Sequence, residues 1–266
     1  MIGPRKVDKP LSLYGYGSLG HLAEEIFDEL QIPTDFIFDA HRRDCPRPKD
    51  VLSVDKKDSL LAICVATEPY QQVIAPLVAA GWQDMIPVWD IIEAFPEAGL
   101  HNGWFAGGLS DKDARGISYV EGYLWGWESV KSYLAFLAWH GASPSWNGHE
   151  KRERYIHCQD MEKPQPLSST LADIRKRQRV VMFADAPMDN ISIHAEGCEL
   201  KTLEENMHLF QKYRPAIEVA VYHSRDGLYL IEKYLMDNLR KYHWTFRLHS
   251  YMGQAAYIYG MPGERT

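Results

Sequence analysis

The glycine-rich segment at residues 15–20 constrains the fold more than any other part of the sequence. It reads Gly-Tyr-Gly-Ser-Leu-Gly, follows an apolar run at 11–14, and precedes Leu22, Ile26 and Leu30 at the spacing of a helix. Glycines at these positions allow a tight turn between a strand and a helix, and they let the backbone approach a bound pyrophosphate closely. The segment therefore predicts an α/β unit that opens with a strand, a glycine turn and a helix.

The remainder of the first hundred residues continues the alternation of strands and helices. We predict a second strand at 35–39, a buried central strand in the apolar run at 60–67, a helix opening at Pro69, and a further strand at 85–89. Short connections between such elements favour a parallel sheet with right-handed crossovers. The pattern therefore predicts a Rossmann-like, nucleotide-binding-type domain at 10–97.

Asp39 ends the second predicted strand about 20 residues beyond Gly20, where an acidic residue hydrogen-bonds a ribose hydroxyl in dinucleotide-binding folds. We therefore predict that Gly15, Gly17, Gly20 and Asp39 bind a cofactor, with NAD or a sugar nucleotide as the ligand. The alternative is that the turn only connects the strand to the helix. Both interpretations stay open at this point, because a glycine motif in the right context is still only a hypothesis of occupancy.

The middle of the chain, 98–165, is predicted to be a linker followed by a helical segment. A helix is expected to begin at Ser110 or Asp111, and helical character continues to Trp139 with three glycines that argue against one unbroken helix. Residues 141–168 are polar and contain prolines, which is typical of a loop. The large aromatic side chains of the helical segment either stack on sugar rings, line a dimer interface, or cover the sheets.

The last hundred residues return to alternating strands and helices. The predicted strands lie at 180–183, 190–193, 216–222, 244–249 and 254–260. The predicted helices lie at 167–177, 199–212 and 228–240. These elements predict a second α/β domain at 166–266.

Several segments of this second domain resemble the FkbM-type methyltransferases. Residues 191–200 (Ile-Ser-Ile-His-Ala-Glu-Gly-Cys-Glu-Leu) resemble the family motif I-K-x-D-x-E-G-x-E, and 212–215 resemble its K-x-x-P turn. Residues 220–223 resemble the family's strand that ends in Tyr-His, and 246–251 resemble its Y-L-R-H-Y segment. The resemblance implies a partial methyltransferase-like α/β domain, with S-adenosylmethionine as the cofactor and a hydroxyl of a sugar or similar small acceptor as the target.

Four polar residues stand at predicted strand ends of the second domain: His194, Glu196, His223 and His249. Ligands of open α/β sheets bind at the carboxyl ends of strands, and a histidine has a pKa suited to removing a hydroxyl proton. We therefore predict these four as catalytic residues; in the family the position of His194 is usually Asp. Such a set can also hold a divalent metal, but its spacing matches no compact signature such as H-E-x-x-H, so no metal is assigned. The alternative is that His223 and His249 are structural.

The segment expected to bind S-adenosylmethionine is too short. The interval 155–190 spans about 35 residues, is rich in proline and contains no G-x-G turn, whereas one βαβ unit takes roughly 30 residues and the cofactor half needs about two such units. We therefore predict that this half is deleted. Three functions remain: a methyltransferase that holds its cofactor by another route or with a partner chain, a non-catalytic ligand- or partner-binding relative, and a nucleotide- or NAD-dependent sugar-modifying protein that uses the 15–20 loop.

The composition limits the partners and the cellular location. With 29 Lys and Arg against 36 Asp and Glu the net charge is −7, which argues against general binding to nucleic-acid phosphates. The four cysteines form no C-x-x-C pair, and no apolar stretch approaches about 18 residues, so neither a disulfide framework nor a membrane span is expected. The first residues show no signal-peptide pattern, so we expect a cytoplasmic protein. A sheet face exposed by the deletion would be apolar, which predicts a homodimer.

Overall fold

The computed structural model describes residues 4–46, 54–95, 109–140, 182–251, 253 and 255–265. The chain divides into two compact units, the first holding the described residues up to 95 and the second those from 109 onward. Both units are mixed α/β, which confirms the predicted fold class. No helix in the described ranges is long and apolar enough to cross a membrane.

The first unit is a four-stranded parallel sheet with helices between its strands. Its elements are β1 (Leu11–Tyr14), α1 (Ser18–Glu29), β2 (Thr34–Phe38), β3 (Leu60–Ile63), α2 (Tyr70–Ala79), β4 (Asp84–Pro87) and α3 (Val88–Ile92). The strand order is β2-β1-β3-β4, and every neighbouring pair is parallel. The glycine turn, the crossover helices and the central apolar strand therefore lie where the sequence predicts them.

Burial of apolar side chains explains this arrangement. All four residues of β3 are buried, as expected for a central strand covered on both faces. The apolar stripe of α1 faces the sheet, so that Leu22, Ile26 and Phe27 are fully buried. At the end of β2, Phe38 packs edge-on against Trp82 with ring centroids 5.7 Å apart. Each such buried side chain stabilises the unit by about 2 kcal/mol.

Two strands of the first unit are shorter than the sequence predicts. β3 ends at Ile63 rather than at residue 67, and the chain then runs to Pro69, which precedes α2. β4 ends at Pro87 rather than at residue 89, because proline has no N–H for the ladder and its φ of −58° suits the entry to a helix. The predicted strand residues Val88 and Trp89 therefore form the first turn of α3.

The second unit has a mixed sheet with helices α4 to α7. Its elements are α4 (Asp111–Tyr123), α5 (Trp127–Trp139), β5 (Asn190–Ile193), α6 (Glu199–Tyr213), β6 (Ala216–Ala220), a 3-10 turn (Arg225–Leu228), α7 (Leu230–Asn238), β7 (Tyr242–Leu248), β8 (Ala256–Pro262) and a final 3-10 turn (Gly263–Arg265). The strand order is β5-β6-β8-β7. β5 and β6 are parallel, and β8 is antiparallel to both of its neighbours.

The predicted helical segment in the middle of the chain contributes to the core of this second unit. Ser110 caps α4, since its hydroxyl accepts the N–H of Asp113 and the Asp113 carboxylate accepts the N–H of Ser110. The chain breaks before α5 at Gly126, whose φ of +82° no ordinary side chain favours, so two helices replace one. α5 lies on β7, where Phe136 and Phe246 have ring centroids 5.5 Å apart.

The other boundaries of the second unit differ from the prediction by a few residues. β6 ends at Ala220 rather than at 222, and the predicted helix at 228–240 is a 3-10 turn followed by the shorter α7. The predicted loop at 141–168, the predicted helix at 167–177 and residues 180–181 of a predicted strand lie outside the described residues. Met182 and Phe183, which complete that predicted strand, are described and do not form one.

Two glycines of α4 have opposite surroundings and give a matched test of this packing. A Cβ at Gly116 would lie 2.2 Å from the ring of Tyr229, whereas a Cβ at Gly122 would have no neighbour within 4 Å. Gly116→Ala should therefore lower the free energy of unfolding by about 1–3 kcal/mol through overpacking. Gly122→Ala should raise it by up to about 1 kcal/mol, because alanine restricts the unfolded chain. Urea denaturation of both variants measures the two signs, and equal effects would contradict the α4–Tyr229 packing.

Candidate functional site

The carboxyl ends of β5 and β6 meet at one edge of the second sheet. Because these strands are parallel neighbours, His194, directly after β5, comes close to His223, three residues after β6. The two Nε2 atoms are 2.9 Å apart, and the imidazole rings stack with centroids 4.6 Å apart. Two of the predicted site residues are thus in direct contact.

Glu196 joins this pair through a reversal of the backbone. Glu196 and Gly197 both have left-handed conformations, with φ of +48° and +98°, and they turn the chain between β5 and α6. The Glu196 side chain is 5% exposed, and its two carboxylate oxygens lie 3.7 Å from His194 Nε2 and 3.4 Å from His223 Nε2. We refer to His194, Glu196 and His223 as the His–Glu–His cluster.

Glu199, the first residue of α6, hydrogen-bonds His223 and the backbone around Glu196. It was not among the predicted site residues. Its side chain is 1% exposed, and one carboxylate oxygen accepts both the N–H of Ala195 at 3.0 Å and Nδ1 of His223 at 2.6 Å. The other oxygen accepts the N–H of Gly197 at 2.9 Å. The sequence carries a signal for it, since Glu199 is the last acidic residue of the quoted E-G-x-E pattern.

The Glu199–His223 contact shifts both groups toward their charged forms. Burial raises the pKa of the Glu199 carboxyl, but the adjacent His223 and the backbone N–H groups hold that pKa below its ordinary value. Burial lowers the pKa of His223, but the charge and hydrogen bond of Glu199 and the charge of Glu196 together raise that pKa above its ordinary value. A carboxylate and an imidazole that face each other away from water polarise each other strongly.

This contact also sets which nitrogen of His223 faces the cluster. Nδ1 carries the proton that Glu199 accepts, so Nε2 points toward His194 and Glu196. Among the described residues, His194, Glu196 and His223 each offer one possible ligand atom, and these three atoms lie within 4.8 Å of one another. The cluster can therefore hold a positive charge, either a proton or a cation.

Two tyrosines form the wall beside the cluster. The Tyr222 hydroxyl lies 3.2 Å from His194 Nε2, and the ring of Tyr257 is edge-on to that of His194 with centroids 6.2 Å apart. Burial raises the pKa of the Tyr222 hydroxyl well above its ordinary value, so this group stays protonated at neutral pH. It can donate a hydrogen bond to the cluster or to a bound molecule.

His249, the fourth predicted catalytic residue, lies outside the cluster. It follows β7, and β8 stands between β7 and β6 in the sheet. Its Nε2 is 2.7 Å from the Tyr259 hydroxyl, and its ring contacts that of Tyr257 at 5.7 Å between centroids. The structure thus brings three of the four predicted residues together and separates the fourth by one strand.

In the first unit, the glycine turn at 15–20 has the tight geometry that the motif predicts. Gly15 has a φ of +96°, and a Cβ at Gly20 would lie only 2.2 Å from the Gly15 carbonyl oxygen. Gly17 is the N-cap residue of α1, where a Cβ would have no neighbour within 4 Å. The first and third glycines are therefore required by the turn itself, and the second lies at the start of the helix.

Asp39 binds the backbone of its own unit. One carboxylate oxygen accepts the N–H of Tyr16 at 2.7 Å, and the other accepts those of His41 at 2.7 Å and Arg42 at 3.0 Å. Although burial raises the pKa of Asp39, these N–H groups hold it below its ordinary value. The Arg42 guanidinium also lies over the Tyr16 ring, 5.0 Å from its centroid. A ribose at this position would share Asp39 with three backbone donors.

The comparisons with known proteins bear on the whole chain. No family model matches it, and no curated protein matches its sequence. Among solved structures, it is similar to the methyltransferase FkbM from Methylobacillus flagellatus KT, with a TM-score of 0.56 over 95% of this chain and 90% of that one, at 12% identity. The chain has a methyltransferase FkbM-like fold. At this identity the likeness extends to the fold and not to the chemistry.

The described residues of the second unit do not fit S-adenosylmethionine in the way that the family resemblance implies. That arrangement requires a strand followed by a G-x-G turn ahead of β5. Within the described residues, β5 is an edge strand, and residues 182–189 before it contain neither a strand nor a glycine. The predicted deletion within 155–190 stays a prediction, since 155–181 lie outside the described residues.

Replacing Glu199 tests whether it organises the site. Glu199→Ala removes the acceptor of two backbone N–H groups and of His223, so the free energy of unfolding should fall by about 3 kcal/mol. Glu199→Gln keeps an oxygen acceptor of the same shape and should cost less. Urea denaturation measures both values.

The matched control is Glu205→Ala, which removes an exposed carboxylate from the same helix. This variant should change the free energy of unfolding by no more than about 0.5 kcal/mol. An equally small loss for Glu199→Ala would contradict the supporting role of Glu199.

Proposed function

We propose that this protein transfers a methyl group to a hydroxyl of a small acceptor, such as a sugar, at the carboxyl edge of the second sheet. The methyltransferase FkbM-like fold and the pattern at 191–200 support this reaction class. The observation that carries the proposal is the His–Glu–His cluster, with His223 held by the buried Glu199. An alcohol has a high pKa. The reaction therefore needs a group at this edge that accepts the hydroxyl proton or stabilises the negative charge on the oxygen.

Each member of the cluster has a distinct place in this proposal. His194, whose side chain is 28% exposed, is the member that an incoming acceptor reaches first. Glu196 and His223 lie behind it, 5% and 9% exposed, where the exclusion of water strengthens their electrostatic effect on the hydroxyl. The hydroxyl proton would pass to this cluster as the oxygen takes the methyl group, while the bond between that methyl group and the sulfonium of its donor breaks and leaves a neutral thioether. His249, one strand away beside Tyr259, is proposed to contact the acceptor.

S-adenosylmethionine is the methyl donor that we propose, on the family resemblance alone. The described residues assign no contact to it. Its site would therefore differ from the usual strand and glycine turn, or a partner chain would complete it.

The test is methyl transfer from S-adenosylmethionine labelled in its methyl group to a panel of sugars and sugar nucleotides. Labelled product detected by mass spectrometry is expected with the wild-type chain. His223→Ala should lower the rate by about 10²–10⁴-fold, the usual contribution of a group that removes a proton. His208→Ala, which removes an exposed histidine from α6, is the matched control and should leave the rate unchanged.

A folded wild-type chain that methylates none of the acceptors would contradict this proposal. The non-catalytic ligand- or partner-binding relative would then be the better interpretation. Equal rates in wild type and His223→Ala would retain a methyltransferase but remove the cluster from its mechanism.

A second candidate function is the binding of NAD or a sugar nucleotide at the glycine turn. The observation in its favour is that the N-cap residue of α1 is Gly17, which has no side chain to cap the helix, and uncapped helix N-termini of this kind bind phosphates. The internal bonds of Asp39 weigh against a ribose contact.

Substitution of Gly17 tests whether a ligand binds at the glycine turn without disturbing the fold, because the position has room for a side chain. Gly17→Asp places a negative charge where a pyrophosphate would lie, and it should weaken NADH or UDP-sugar binding at least tenfold in calorimetric titrations. Gly17→Asn is the uncharged control of the same shape and should weaken it less. Absence of saturable heat from the wild-type chain with either ligand would reject this candidate.

A further inference from the structure

The nitrogens and carboxylate oxygens of the His–Glu–His cluster are close to the spacing of neighbours in a metal coordination shell. His194 Nε2 and His223 Nε2 are 2.9 Å apart, and the Glu196 oxygens lie 3.4 and 3.7 Å from these nitrogens. Metal–ligand bonds of about 2.1 Å place adjacent ligand atoms about 3.0–3.4 Å apart in octahedral or tetrahedral geometry. One nitrogen of each histidine and one Glu196 oxygen lie within 4.8 Å of one another, which is close enough for a single ion to bind all three.

The orientation of His223 matches that of a metal ligand. Glu199 accepts the Nδ1 proton at 2.6 Å, and a carboxylate on the far nitrogen is the usual outer contact of a metal-bound histidine. Nε2 then points at Nε2 of His194, only 2.9 Å away. Two nitrogen lone pairs at this distance repel each other unless a proton or a cation lies between them.

A divalent cation would balance more of the negative charge in the cluster than a single shared proton does. Glu196 is 5% exposed, and its carboxylate oxygens face Nε2 of both histidines. Glu199, the second buried carboxylate, already faces the Nδ1 side of His223. A divalent ion at the Nε2 side would satisfy Glu196 and both imidazoles together.

We propose that His194, Glu196 and His223 bind one divalent transition-metal ion. Two imidazole nitrogens and one carboxylate favour zinc, cobalt, nickel or iron(II) over magnesium and calcium, which prefer oxygen ligands. Three protein ligands leave at least one position open, on the side where His194 is 28% exposed and the Tyr222 hydroxyl is 3.2 Å from its Nε2.

The inference deepens the proposed function and rests on it only for the role of the ion. A hydroxyl bound at the open position would lose its proton more easily, since a Lewis acid stabilises the resulting alkoxide. The ion would then replace the imidazoles as the group that activates the acceptor, and the hydroxyl proton would pass to solvent on the side where His194 is 28% exposed. Binding of the ion itself requires neither acceptor nor methyl donor.

The experiment is calorimetric titration of the full chain, stripped with a chelator and dialysed, with zinc chloride and separately with magnesium chloride. One zinc ion per chain is expected, with at least 100-fold weaker binding of magnesium. Cobalt(II) added to the same protein should give a visible absorption band from imidazole coordination, and this band should be lost on addition of zinc.

Variants assign the binding to the cluster. His194→Ala and Glu196→Gln should each weaken zinc binding at least tenfold, and Glu199→Gln should weaken it 10–100-fold through the outer contact. His208→Ala is the matched control and should bind zinc like the wild type. His194→Asp keeps a ligand at a partly exposed position, so it should retain one ion per chain with a smaller preference for zinc over magnesium.

Two results would overturn the proposal: no saturable zinc binding by the wild type, or equal zinc affinity in the wild type, His194→Ala and Glu196→Gln. Circular dichroism of each metal-free variant shows whether it is folded. If His194→Ala or Glu196→Gln is not folded, His194→Asp tests the metal site independently. Methyl transfer without zinc binding would leave a side chain as the proton acceptor. Zinc binding without methyl transfer would retain the metal site and reject the reaction.

Discussion

The buried carboxylate of Glu199 holds the candidate site together. It binds the backbone of the turn after β5 and the imidazole after β6, so a single group at the start of α6 connects two strand ends that are distant in sequence. Without it, the N–H groups of Ala195 and Gly197 would lose the acceptor that satisfies them away from water. The direction of the His223 ring, and therefore the chemistry at its Nε2, follows from this contact.

The two units use their polar groups at strand ends in opposite ways. In the first unit, Asp39 accepts three backbone N–H groups and Arg42 covers Tyr16, so the glycine turn largely satisfies its own hydrogen bonds. In the second unit, His194 and His223 direct ring nitrogens at each other beside a buried carboxylate. The first arrangement stabilises a loop, whereas the second places two imidazoles and a carboxylate where they could share a bound positive charge.

Local patterns in the sequence were sufficient for much of the fold. β1 and β5 have the predicted bounds, because each is a short apolar or alternating run between clear turn signals. The entry to α3 after Pro87 was missed, since an apolar run of this length suits a strand or a buried helix equally well. The pairing of His194 with His223 could be predicted from parallel strand ends. The position of His249 could not, because it depends on a long-range insertion of one strand between two others.

That inserted strand also affects how the second unit can fold during synthesis. β8 is the last strand of the sheet in sequence, yet it lies between β6 and β7 and supplies the only strand neighbour that β7 has in the described sheet. While the ribosome is still producing the chain, β5 and β6 can pair, but β7 must wait for residues 256–262. The edge of β6 that faces β8 therefore stays unpaired until β8 is available, and an unpaired edge strand can pair with another chain.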